Sequence, residues 1–313
     1  MSVCTVPETS NLRFSGTAIG VAAALGAVAI WAGWIVATRH AGHTLEPAAL
    51  GLLRFAIPAL VFAPVWWRTG LKPKGVSWAK LLALFGFGAP FFIAVGYAVQ
   101  YAPAPDVAPL LSGAMPLIVA IVAMWLGERF GLARKLGLAL IALGIVAILG
   151  FSLVSGGLAW RGHLMLVGAA SLWAIYTLVF KRSGLTAIEA AALVSVWSTL
   201  ALLPLGAPAL VKVVQAGHTM EVLAQATVQG VLSGVLAIVL YGIAITRLGV
   251  TRGAALTALV PVVAAVLSVP LLGEWPVSGT AAGIVMVSAG VALAAGALDG
   301  WRERARRGTL PEA

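Results

Sequence analysis

The sequence predicts an all-α polytopic membrane protein, with ten transmembrane helices built as two inverted five-helix repeats. Three observations carry this. Of 313 residues, 61% are hydrophobic and only 10% charged, against about 25% charged in a soluble domain. Apolar runs follow one another along nearly the whole chain, at about the 20 residues that one bilayer crossing needs. Residues of the first half also recur in the second at a nearly constant offset. A chain so poor in charge cannot cover a water-facing surface, which excludes a soluble enzyme, a disordered chain and an ordinary nucleic-acid binder.

The runs are 16–38, 46–66, 78–101, 106–126, 132–150, 162–180, 188–210, 226–246, 252–272 and 278–298, and none has an acidic residue near its middle. They must be helices, because open strands leave backbone groups unpaired in lipid. The first is too long for a signal-peptide core and is retained. Pro90, Pro116 and Pro261 interrupt the third, fourth and ninth helices, and Arg54 lies inside the second. The chain then divides into a cytoplasmic N-terminal segment 1–15, a first repeat 16–150, a second repeat 162–298 and a basic cytoplasmic tail 299–313.

The net charge is +10, with the basic residues lying between the apolar runs. With both termini on one side, 16 Lys and Arg fall on that side and only Arg39, Arg161 and Lys212 on the other. The positive-inside rule therefore places both termini in the cytoplasm, in a cell inner membrane. The tail Trp301–Arg307 reads as a cytoplasmic anchor rather than a lipid-headgroup or nucleic-acid patch. The single cysteine, Cys4, forbids an internal disulfide and a cysteine-based metal site. His40 and His43 have a ligand-like spacing but no nearby third ligand. All four histidines fall toward the non-cytoplasmic ends, where solvated roles are expected. No catalytic constellation, metal site or cofactor is expected.

The repeats align residue by residue. Trp31-Ala32 matches Trp173-Ala174 and Gly42 matches Gly184, each 142 apart; Pro116 matches Pro261, 145 apart; Leu126-Gly127-Glu128 matches Leu272-Gly273-Glu274, 146 apart. Gly137 and Gly144 recur as Gly283 and Gly290. Five helices per unit is odd, so the second copy enters from the opposite face, a recurring device of secondary transporters. With Arg54-Phe55, Tyr97, Tyr241 and Glu128-Arg129, these marks resemble the drug/metabolite transporter superfamily, in its ten-helix group of two EamA-type repeats. The resemblance covers roughly 16–298. It implies export of amino acids, drugs or other metabolites by alternating access, with relatives that move nucleotide sugars or triose phosphates; the alternative within transport is a phosphorylated or lipid-linked cargo, which would need more basic residues in the cavity than Arg54 alone. Trp275 follows Glu274 where a basic residue is usual, and no Arg stands opposite Arg54.

In such repeats the binding site lies between the halves near the midplane. Arg54 lies eight residues after Glu46, about 12 Å along a helix. An arginine there costs at least ~2.5 kcal/mol and should face a wet cavity or a partner, as a dock for an anionic group of cargo. Trp31, Tyr97, Gln100, Trp173, Tyr176, Trp197 and Tyr241 are the further candidates for lining a substrate cavity. Pro116 and Pro261 are candidate hinges. The GxxxG pairs at Gly16/Gly20, Gly127/Gly131, Gly230/Gly234 and Gly279/Gly283 point to close helix packing. Proton coupling normally needs a buried acid, and the acids cluster at helix ends; Asp106 is the best remaining proton carrier. The expected partners are a small-molecule substrate and the lipid bilayer, with no nucleic acid, in a monomer or homodimer. An intramembrane enzyme is the reading from another class, and the sequence offers no converging catalytic groups for it.

Overall fold

The computed structural model describes residues 16–296. The expected segment 1–15, the last two residues of the second repeat and the basic tail 299–313 lie outside the described residues. Span one is α1 (Gly16–Ala41). Span two divides into α2 (Pro47–Val61) and α3 (Ala63–Thr69), and span three into α4 (Trp78–Phe85) and α5 (Ala89–Tyr101). Spans four to seven are α6 (Ala104–Trp125), α7 (Leu132–Val154), α8 (Ala159–Phe180) and α9 (Ala187–Gln215). Span eight joins α10 (Thr219–Gln225), a π-helical segment Ala226–Leu236 and α11 (Ala237–Leu248). Span nine is α12 (Val250–Thr257) with α13 (Val260–Leu272), and span ten is α14 (Ser278–Ala294). Among the described residues there is no strand. Over the described residues, all ten predicted runs are helical.

Four spans, the second, third, eighth and ninth, depart from a single continuous α-helix. The second was expected to run unbroken over 46–66; instead α2 and α3 meet at 71°. Pro64 cannot donate a backbone bond and opens α3 in its first turn. Trp66 donates its indole N–H to the carbonyl of Ala59 across the bend, at 2.7 Å. The third span breaks at Gly86–Gly88, ahead of Pro90. The eighth widens into its π segment at the corresponding place, since Gly88 and Ser233 are 145 apart. Backbone irregularities at matching positions of two inverted repeats mark binding regions in transporters of this kind.

Ten crossings put both ends of the described chain at one end of the bundle, here called proximal; the other is distal. The packing follows the inverted repeat. The first span packs on the eighth and ninth, as the sixth does on the third and fourth; the second packs on the seventh, the fifth on the tenth, and the fourth crosses the ninth. The α7–α14 contact is the most extensive. A methyl at Gly283 would fall 2.4 Å from Ile148 Cγ1, and one at Gly290 2.6 Å from the carbonyl of Gly137. The expected glycine pairs at 230/234 and 279/283 lie in such close contacts, as does Gly20, whereas a methyl at Gly16 would meet only Arg247 Nη1 at 3.6 Å. Gly127/Gly131 does not: neither has a neighbour within 4 Å, and Gly127 instead takes φ +89° to end α6. Its repeat partner Gly273 ends α13 at φ +70°, conformations that favour glycine.

The two ends differ. Distally, residues 104–111 of α6 are all buried, and α6 packs against α14. The repeat counterpart lies proximally in α12, where Thr251 and Arg252 are exposed and 254–257 only half-buried; α12 makes no comparable contact with α7. The hinge candidates follow the same asymmetry. Pro116 sits inside the continuous α6, whereas Pro261 opens α13 just after the break at Ala258–Leu259.

Candidate functional site

Arg54 lies in the second turn of α2, half-buried. Its guanidinium rests 4.7 Å over the ring of Trp34 on α1 and 5.9 Å from the ring of Phe92 on α5. Its Nη1 donates to Ser233 Oγ at 2.7 Å. Gly230 and Gly234 bring the π segment against α2: a methyl on either would clash at 2.5 Å with Ile57 or Pro58. That close approach sets Ser233 opposite Arg54. Among the described residues no carboxylate pairs with Arg54, so its charge is met only by ring faces and one hydroxyl.

A polar chain leads from this point toward the distal end. Trp34 Nε1 donates to Gln229 Oε1 at 2.7 Å. Gln229 Nε2 donates to Thr38 Oγ1 at 3.0 Å and to Gln225 Oε1 at 3.2 Å. Gln225 Nε2 in turn donates to Glu221 Oε1 at 3.1 Å and to the carbonyl of Ala37 at 3.2 Å. Glu221, Gln225, Gln229 and Ser233 stand four apart, one stripe along span eight facing α1 and α2. Gln229 is wholly buried, so the network fixes the orientation of Trp34 beneath the guanidinium.

The aromatic candidates fall into two groups. Trp31, one turn from Trp34, meets Tyr241 edge-on at 5.2 Å. On the other side of α5, Phe87 stacks on Trp173 at 5.5 Å and lies 4.7 Å from Tyr176, which stacks on Phe180 at 5.8 Å. Trp31 and Trp173 are thus repeat counterparts, each half-buried against the third span of the opposite repeat. Trp197 is not gathered with them. It donates to the carbonyl of Leu71 at 2.9 Å and packs on Trp78, clasping the loop after α3. Tyr97 and Gln100 are exposed on α5 and touch neither group.

The distal end is tied across the repeats by two polar clusters. Glu274 accepts from Arg39 Nε at 2.8 Å and from the amide of Ala104 at 2.6 Å, capping α6. Arg39 Nη1 also donates to the carbonyl of Val99. Deeper, Asp106 accepts from His163 Nε2 at 2.8 Å and from Thr280 Oγ1 at 2.5 Å. His163 was expected to be solvated; it is 1% exposed. It stands on the second turn of α8, where Gly162 packs against Ala98 and Ala102 of α5. No group of three or more potential metal ligands occurs among the described residues.

The EamA-like transporter family model matches residues 18–150 and again 160–296. The chain belongs to the EamA-like transporter family. It is therefore a multi-pass membrane transporter of the drug/metabolite transporter superfamily, and the resemblance read from its sequence holds. The "Uncharacterized transporter YwfM" of Bacillus subtilis (strain 168) is 30% identical over 146 residues, covering 45% of this chain and 48% of that protein. The match thus spans about half the length of that relative. A crystal structure matches 96% of this chain and 100% of its own, with a TM-score of 0.52 at 23% identity; that likeness concerns the fold alone.

Proposed function

We propose that this transporter exports small metabolites bearing an anionic group, such as amino acids or drug-like acids, across the inner membrane by alternating access between its repeats. The observation that carries this is the Arg54 guanidinium, held over Trp34 and bonded to Ser233 with no carboxylate partner among the described residues. An arginine kept within a span at such cost marks a ligand path, and its planar fork fits a carboxylate. The half-buried Trp31–Tyr241 and Phe87–Trp173 faces offer apolar contact for the rest of the cargo.

Alternating access is supported by the unequal ends. With the termini cytoplasmic, a sealed distal end and a looser proximal end fit the state that loads cargo from inside. The repeat also supplies the latch for the opposite state. Arg39, Glu274 and Ala104 correspond to Lys181, Glu128 and Val250, at offsets of 142, 146 and 146. Glu128 and Lys181 are exposed, and neither makes an ion pair among the described residues. When the proximal end closes, Glu128 engages Lys181 and the first turn of α12, as Glu274 now engages Arg39 and α6.

The test is a thermal-shift screen of purified protein across amino acids, drug-like acids, phosphorylated metabolites and organic cations. Amino acids or drug-like acids should stabilise the protein, and Arg54→Ala should weaken their binding at least about thirtyfold, near 2 kcal/mol, without lowering the unliganded Tm. Stabilisation by phosphorylated compounds alone would move the cargo to that class. Binding by organic cations alone, untouched by Arg54→Ala, would overturn the reading.

A further inference from the structure

We propose that Asp106, His163 and Thr280 form a proton-binding site whose loading opens the distal end. The proposal rests on the alternating-access reading but not on the cargo or on Arg54. Each of the three residues comes from a different helix, α6, α8 and α14. Asp106 belongs to the first repeat and its two donors to the second. Asp106 is 5% exposed, His163 1% and Thr280 2%.

Donors and acceptors decide the direction. One carboxylate oxygen accepts from the imidazole Nε2–H and the other from the Thr280 hydroxyl. The carboxylate fixes the imidazole in its Nε2–H tautomer. The other ring nitrogen, Nδ1, is buried and has no partner. An added proton has two places to go. On an Asp106 oxygen it displaces one of the bound donors; on Nδ1 it creates a buried N–H facing no acceptor. Either way the closed arrangement is left with a buried donor that has no acceptor, whereas water supplies one once α6 separates from α8 and α14. The open state therefore binds the extra proton more tightly, and by linkage acid favours opening.

Neighbouring charges leave this site to itself. On α5 the titratable groups are the exposed Tyr97 and Tyr101. On α7 the basic pair Arg134 and Lys135 stands in the first turn, at the proximal end. On α8, Arg161 is exposed and lies 5.7 Å from the ring of Trp160. No charged residue occurs on α13 or α14. The Arg39–Glu274 pair is held at the amide of Ala104, two residues ahead of Asp106. Unlike the Glu274 latch, the site has no repeat counterpart: at the offsets of 146, 142 and 146, Asp106, His163 and Thr280 correspond to Arg252, Val21 and Arg134. Protons therefore act on one end only.

The experiment uses the full chain in nanodiscs, with Cys4→Ser and a reporter Val107→Cys, a position that is 0% exposed. Thiol labelling of the reporter is normalised at each pH to labelling at an exposed site, Leu158→Cys, which is 55% exposed. Between about pH 8 and about pH 5 the normalised rate should rise about tenfold. Asp106→Asn should label at the acid rate throughout. His163→Gln keeps an N–H for the carboxylate without a titrating ring, and should cut the response at least threefold. Glu274→Ala, which loosens the same end without touching the site, separates the two readings. If it labels while pH does nothing, or if the pH response survives both site substitutions, the proton site is overturned and alternating access stands. If nothing labels under any condition, both are overturned.

Discussion

The latch at Glu274 lends itself to a quantitative test. Replacing Glu274 by Ala removes the side chain that caps α6 at Ala104 and the partner of Arg39. A lost cap costs about 1 kcal/mol. The ion pair, whose side chains are 21% and 20% exposed, contributes about 0.5 kcal/mol. The sum, about 1.5 kcal/mol, is roughly a tenfold shift toward the distal-open state. Because the reporter at Val107 labels only through that state, its rate should rise about tenfold. Glu128→Ala removes the corresponding latch from the proximally closed state alone. It should therefore lower the same rate about tenfold, and the double variant should return near the starting value, since the two sites are far apart. Two single variants that shift labelling in the same direction would refute the mirrored latch.

Further outcomes follow from the packing. Gly283→Ala places a methyl 2.4 Å from Ile148 Cγ1 and 2.9 Å from the carbonyl of Gly144; it should destabilise by about 1–3 kcal/mol, read as a lower Tm in detergent, while Gly33→Ala, with nothing within 4 Å, should leave Tm unchanged. Trp34→Phe strands the buried Gln229 Oε1 and should cost about 1–3 kcal/mol, measured by the same melt. Gly88→Ala would set a methyl 2.0 Å from the Ser198 oxygen that accepts from the amide of Ala89 at 2.9 Å. Proteolysis at the break in span three should accelerate, and unchanged digestion would show that this bond does not hold the break.

Hydropathy made the ten spans legible, because lipid demands helices and each must be about the same length. The bend at Phe62 was less so, although Pro64 was in plain view: a proline shows that a helix is interrupted, not by how much it turns. Arg54 stood out as the charge inside a span, but its neighbours did not. Trp34, Phe92 and Ser233 meet it from three other elements, and only tertiary packing brings them there. The stripe Glu221-Gln225-Gln229-Ser233 did carry a sequence signal, four polar residues at a constant spacing. Starting the eighth span at 226 left the first two in a loop and hid the period. His163 looked like a loop residue because histidine near a span end usually meets water. Its burial follows from Gly162, which lets α8 approach α5 closely enough to seal it.

The contact between α7 and α14 constrains how the molecule can be rebuilt. Where a glycine of one repeat faces main chain of the other, neither half carries the fit alone; Gly137 matches Gly290, and Gly144 matches Gly283. Chimaeras that exchange a single repeat between relatives inherit one side of a two-sided match. Such exchanges should tolerate new spans elsewhere more readily than a change in this fifth-and-tenth pair, which has to travel as a set.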